Sequence, residues 1–220
     1  MENESIRLEI YNSFAKTGCS PSVEELAATL SLSESDVAEG LEALARDRHI
    51  VLNEKLEVVM AHPFSSVPLG FSVMGESTLW WGGCAWDSFA LPHLLTEEKD
   101  LLVATTCPNC NVALSWNLNR QSEPNGNEVA HFLVPTAQMW DVVVHTCGNQ
   151  RLFCSRACVD GWLSKNKLPM GYVMDLGTLW KLASKWYEGR LTRGYVRREP
   201  AAAKDYFRSV GLSGKFWGLD

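Results

Sequence analysis

Apolar residues return at helical spacing through the first part of the chain and at strand spacing through the middle. Ile6, Leu8, Ile10 and Phe14 open an amphipathic segment that Gly18 and Pro21 end. Ser22 then precedes Glu25 by three positions, the spacing of a capping box, and Leu26, Ala27 and Leu30 carry that helix forward. Ser33 caps a third helix with Asp36 at its N3 position, and Val37, Leu41 and Leu44 supply its apolar face. Ile50 to Leu52 and Leu56 to Met60 are short β-rich runs that read as a two-stranded wing. Three helices and a wing give a winged-helix outline over residues 1–62.

Pro63 and Pro68 mark a linker, after which the pattern changes period. Six segments have strand lengths and β-branched or aromatic content. They are Leu69–Met74, Thr78–Trp81, Leu101–Thr106, Val112–Trp116, Val129–Val134 and Asp141–His145. A polar loop begins at Asn119. Leu152 and Phe153 open a cysteine-rich turn, and Val159–Lys165 reads as a helix. Asp175 can cap an amphipathic helix through Leu176, Leu179, Leu182, Ala183 and Trp186. Gly189 and Gly194 bracket a basic stretch, and Ala201–Val210 forms a further helix before the tail Phe216-Trp217-Gly218. The expected fold class is α+β: a winged-helix-like unit at 1–62, then a domain at 63–220. The second has a mixed, mainly antiparallel sheet core flanked by helices, with further helices at its C-terminal end.

Charge narrows what the outline can mean. The would-be recognition helix carries Glu34, Asp36, Glu39 and Glu42 against Arg46 and Arg48. DNA binding requires Lys and Arg facing phosphate, and the whole chain has a formal charge of −6. The helical unit is therefore expected to be a structural lid, with no nucleic-acid partner. Residues 181–220 reverse the balance, and their Arg190, Arg193, Arg197 and Arg198 form either a solvated face or a surface that docks the acidic unit. No apolar run approaches the roughly 20 residues of a membrane span. The acidic N-terminus lacks a signal-peptide layout, so the cytoplasm is the expected compartment and no membrane partner is expected. At 220 residues and 46% hydrophobic, the chain is long enough for a sizeable core.

Seven cysteines in such a chain point to metal or thiol chemistry rather than to disulfides. Cys107-Pro-Asn-Cys110 and Cys154-Ser-Arg-Ala-Cys158 have the spacing of two metal knuckles, and together they make a four-cysteine set suited to structural zinc. Separate buried thiols, or a redox pair, are the alternatives. Cys84 and Cys147 belong to neither knuckle. Cys84 follows Gly82-Gly83 and precedes the apolar run Ser88–Leu95, which reads as a short helix broken or kinked near Pro92. That places the thiol near a helix N-terminus, where the dipole favours a thiolate. Asp87 falls on the same side of the first turn. Among Trp80, Trp81, Trp86 and Phe89 it would be partly desolvated and able to hold a proton; the alternative is a helix-start Asp that satisfies backbone N–H groups. Two converging thiols would grip a soft ion such as Hg²⁺ or Cu⁺, and the alternative is that both are small buried apolar residues. His145 would share a strand face with Cys147, although a hydrogen-bonded core histidine fits it better. His49, His62, His93 and His131 show no ligand spacing.

The segment from Trp81 to Pro92 resembles the active-site segment of the bacterial organomercurial (alkylmercury) lyases, in which Cys-Ala-x-Asp begins a helix leading to an apolar-Pro pair. Val103 to Cys107, His145-Thr146-Cys147, Arg151 to Ser155 and the later Trp162 extend the likeness, as does the winged-helix-like unit. The resemblance implies that Cys84 and Cys147 are the catalytic cysteines, that Asp87 handles the proton and that Cys107 is structural. It also implies mercury resistance: protonolysis of a carbon–mercury bond, no organic cofactor, and Hg(II) as a bound product passed to small thiols or an acceptor protein. The chain departs from the family pattern at Cys110, Cys154 and Cys158, at Gly148, and in a longer basic and aromatic tail. Two other classes compete: a non-catalytic soft-metal (Hg/Cu/Zn) binding or carrier protein, and a metal-responsive winged-helix regulator. Asp87 separates the enzyme from the carrier, because storage needs thiols alone.

Overall fold

The computed structural model describes residues 2–198 and 200–219; Met1, Glu199 and Asp220, which the expected domain bounds include, lie outside the described residues. Helices α1 (Glu2–Thr17), α2 (Val23–Leu30) and α3 (Glu34–Arg46) begin the chain. Both capping boxes close. Ser22 Oγ accepts from the Glu25 N–H at 3.1 Å while the Glu25 carboxylate accepts from the Ser22 N–H at 2.7 Å, and Ser33 and Asp36 repeat the arrangement. Ile6, Ile10, Phe14, Leu26, Val37 and Leu41 are buried where the helices meet.

Strands β1 (Val51–Leu52) and β2 (Val58–Ala61) pair antiparallel, but they are not a free-standing wing. They continue into β3 (Phe64–Ser65), β4 (Ser72–Met74), β5 (Leu79–Gly82), β6 (Leu101–Thr106) and β7 (Ala113–Leu118). The result is one seven-stranded sheet in the order β1-β2-β3-β5-β4-β6-β7. The sheet thus runs straight across residues 62 and 63. Phe14 of α1 stacks on Phe64 with ring centroids 5.4 Å apart, and Trp80 of β5 donates its indole N–H to the Phe14 carbonyl at 2.8 Å. Strand alternation is clear in β6, where Leu101, Val103 and Thr105 face inward.

A second sheet has the order β10-β8-β9, from β8 (Val129–Phe132), β9 (Gln150–Phe153) and β10 (Tyr172–Asp175). Helix α4 (Ala85–Leu94) touches both sheets and packs along α7 (Leu176–Ser184). Almost every residue of α4 is buried, which is why its sequence is apolar all round instead of striped. Pro92 lies in its last turn and does not break it. Helices α5 (Val143–Gly148), α6 (Arg156–Asn166) and α8 (Pro200–Ser209) complete the regular elements. The tail ends on Trp217, 1% exposed, whose ring meets Trp86, Phe132 and Phe207. The fold class is α+β with a mainly antiparallel sheet. Among the described residues no helix is long and apolar enough to cross a membrane.

Two expectations are corrected. Asp141–His145 is not a strand: α5 starts within it, with the Thr146 N–H bonded to the Val142 carbonyl at 3.0 Å. Val142 and Val144 favour a strand locally, yet the adjacent Thr146 and Cys147 are both buried, and neighbours on a strand face opposite ways. His145 is therefore neither a core histidine nor a face-mate of Cys147; it is exposed and its ring and carbonyl meet the Asn149 amide. Strands β9 and β10 are not among the expected strands, since neither alternates apolar and polar residues. Of the two readings of the basic C-terminal stretch, docking is the one the contacts support, although Arg193 itself stays exposed. Arg7 donates to the carbonyls of Arg190 and Thr192, Arg190 donates to the Tyr11 hydroxyl, and Arg197 donates to the Asp47 carbonyl. It docks on the helical unit mainly through carbonyls and Tyr11.

Candidate active site

The first turn of α4 builds the site. Neither Gly82 nor Gly83 needs a left-handed backbone; each is required by close approach. A Cβ at Gly82 would run into Ser88, and one at Gly83 into the Asp87 carboxylate. The chain can therefore lie against the helix it is about to enter. Cys84 is the N-cap, and its sulfur accepts from the Asp87 N–H at 3.4 Å. Ser88 ties the turn down by donating its hydroxyl to the Cys84 carbonyl at 2.7 Å. Asp87 is thus fixed one turn along, carboxylate beside thiol.

Cys147 reaches the same place from α5. Cys84 and Cys147 line the same pocket, and only 2% and 5% of the two residues is exposed. Burial pushes Cys84 well above the usual thiol value, and its contacts with Cys147 and Asp87 push further in the same direction. For Cys147 its interaction with the neighbouring Cys84 pulls down, but burial and the Asp87 charge outweigh it and the thiol is raised. The helix N-terminus does not favour a resting thiolate at Cys84: desolvation outweighs the Asp87 N–H that points at the sulfur.

No pattern in the sequence points to the partners of Asp87. His62, just after β2, places Nδ1 3.1 Å from Asp87 Oδ2, and Tyr187, beyond α7, donates its hydroxyl to Oδ1. Both are buried. Arg190 stands 5.0 Å over the Tyr187 ring and donates to the His62 carbonyl at 3.1 Å. The buried carboxylate and the buried guanidinium are therefore linked through two single-residue bridges. Neither bridge has a fixed sequence spacing that a motif search detects. Burial raises Tyr187 far above the usual phenol value, and the Asp87 charge adds to that. Trp86, Trp140 and Trp186 wall the pocket around the thiols, and Arg197 and Arg198 also line it.

Cys107, Cys110, Cys154 and Cys158 gather elsewhere, their sulfurs all within 4.8 Å of one another. Cys19 is exposed and alone among the free cysteines in belonging to neither group. A second set of donor atoms, from His62, Asp87 and Cys147, also lies within 4.8 Å. Within this pocket are two thiols able to hold a soft two-coordinate ion, a carboxyl able to carry a proton, and aromatic walls suited to an organic group.

The alkylmercury lyase family model matches residues 64–188. A solved structure, the mercury-bound form of MerB2, is similar with a TM-score of 0.67. The likeness covers 86% of this chain and 92% of that one at 17% identity, and so is a likeness of fold. No curated protein sequence matches. The family match spans more than half of the chain and encloses Cys84, Asp87 and Cys147, and on that ground the chain belongs to the alkylmercury lyase family, whose members cleave carbon–mercury bonds.

Proposed function

We propose that Cys84, Cys147 and Asp87 together carry out protonolysis of an organomercurial. The observation that carries this reading is the convergence of two thiols and a carboxyl from distant segments in one aromatic pocket. The substrate is written R–Hg–X, with X a small thiolate. One thiol gives its proton to Asp87 as its sulfur bonds to mercury. The second sulfur then displaces X, which leaves as HX with the second thiol proton. With two sulfurs on mercury the Hg–C bond is electron-rich, and Asp87 returns its proton to carbon as R–H departs. Mercury remains as Hg(II) bridging Cys84 and Cys147. Two outside thiols, free or on an acceptor protein, exchange it away and restore both protons.

His62 and Tyr187 hold the Asp87 carboxyl in place between them. In this reading no organic cofactor takes part, and the reaction runs in the cytoplasm, where thiols stay reduced. The helical unit acts as a structural lid, anchored by Arg7 and by the Arg190–Tyr11 hydrogen bond, and does not read DNA. The test is anaerobic incubation with phenylmercury and excess thiol. Benzene and thiol-bound Hg(II) in equal amounts are expected; intact phenylmercury held on the two cysteines would identify a carrier instead.

A further inference from the structure

We propose that Cys107, Cys110, Cys154 and Cys158 form a tetrahedral zinc–thiolate site that staples the seven-stranded sheet to the three-stranded one. Zinc held by four thiolates at about 2.3 Å puts neighbouring sulfurs about 3.8 Å apart. Here Cys110 and Cys154 stand at 3.5 Å, Cys110 and Cys158 at 3.9 Å, and every pair falls within 4.8 Å. These spacings are too long for a disulfide and too regular for four unrelated thiols.

The surroundings are built for such an ion. The Cys107–Cys110 turn is closed by the Asn111 N–H on the Cys107 carbonyl and the Cys107 N–H on the Val112 carbonyl, both at 2.9 Å. Asn111 takes the left-handed backbone that lets the turn close. On the other side, Ser155 caps α6 by accepting from the Cys158 N–H. Gly161 lets α6 approach the turn, since a Cβ there would stand 3.2 Å from the Asn109 amide. Thiolate donors in a tetrahedron select zinc over magnesium or calcium. Four protein ligands leave no open position, so the ion is structural.

The site lies where it can serve the thiols without touching them. Cys107 directly follows β6, in the sheet whose β5 leads directly to Cys84. Cys154 follows β9, the four-residue strand that begins just after the helix carrying Cys147. One ion thereby holds together the two frames from which the catalytic cysteines project.

The test uses full-length protein with Cys84→Ser and Cys147→Ser, which separates it from the proposed reaction. One zinc per chain is expected, and replacement by cobalt should give thiolate-to-cobalt absorption in the near ultraviolet with visible bands of a tetrahedral site. Adding Cys110→Ser, at an exposed position, should lower zinc affinity at least tenfold and abolish those bands. In the wild type, chelation should remove the zinc and lower Tm by about 5 °C or more. Absence of zinc and of the cobalt spectrum in the two-serine protein would overturn the site, as would a spectrum that survives Cys110→Ser with Cys154→Ser. An unchanged Tm after zinc removal would overturn the staple.

Discussion

Asp87 is one turn from Cys84, and its two oxygens are already engaged by His62 and Tyr187. Asp87→Asn keeps the shape but cannot carry a proton, so benzene release from phenylmercury should fall by about 10²-fold or more while Hg(II) still binds. Cys84→Ser and Cys147→Ser should lose both, because a hydroxyl is a far poorer donor to mercury. A near-normal rate in Asp87→Asn would remove this residue as the proton carrier. The raised thiols give a pH prediction of definite sign. Below the ordinary thiol value of 9.0 both folded and unfolded chains hold these protons. Above it the unfolded chain releases them first and binds fewer protons than the native state, so stability falls as pH rises. Urea unfolding at pH 7 and pH 10 should show that loss, and the two-serine protein should show less of it. Cys84 and Asp87 are legible together because a three-residue spacing on a helix fixes their relation. Cys147 stands out by its isolation and by the family resemblance. His62 and Tyr187 are not legible at all, since only the folding of β2 and the segment after α7 against α4 brings them to the carboxyl.

Among the elements, α4 is legible from Gly82-Gly83 and the apolar run, and α2 and α3 from their caps, since these signals are local. Segment α5 reads as a strand because Val142 to Val144 favour one, while burial of Thr146 beside Cys147 requires a helix. Gly82→Ala tests how closely β5 is pressed to α4. Alanine would ordinarily stabilise by about 0.4–1 kcal/mol at an unstrained position. Here its methyl meets Ser88, and overpacking of that kind costs about 1–3 kcal/mol. A lower urea midpoint is expected; a higher one would mean that the first turn of α4 yields without cost.

For the molecule as a whole, the stretch after residue 188 lies beyond the family match yet supplies Arg190, Tyr195, Arg197 and Arg198 to the pocket. Its end supplies Trp217 to the aromatic cluster around Trp86. Trp217→Ala should cost about 3–5 kcal/mol, as removal of a fully buried aromatic does, and calorimetry or denaturant unfolding would measure it. A change under about 1 kcal/mol would mean the tail only rests on the core. The α+β class is legible in the change from helical to strand spacing near Pro63. The joining of β1 and β2 to the main sheet is not, because strand partners are chosen by tertiary packing.

Buried, protonated thiols have a bearing on how the protein survives between substrates. Peroxides and ordinary alkylating agents react with thiolates at exposed positions, so Cys84 and Cys147 offer them almost nothing to attack. A soft cation that enters the pocket supplies its own inducement, since bonding to sulfur makes the proton leave. On the proposed reaction, the pair is dormant towards oxidants and alkylating agents and is roused by the soft cation that is its substrate.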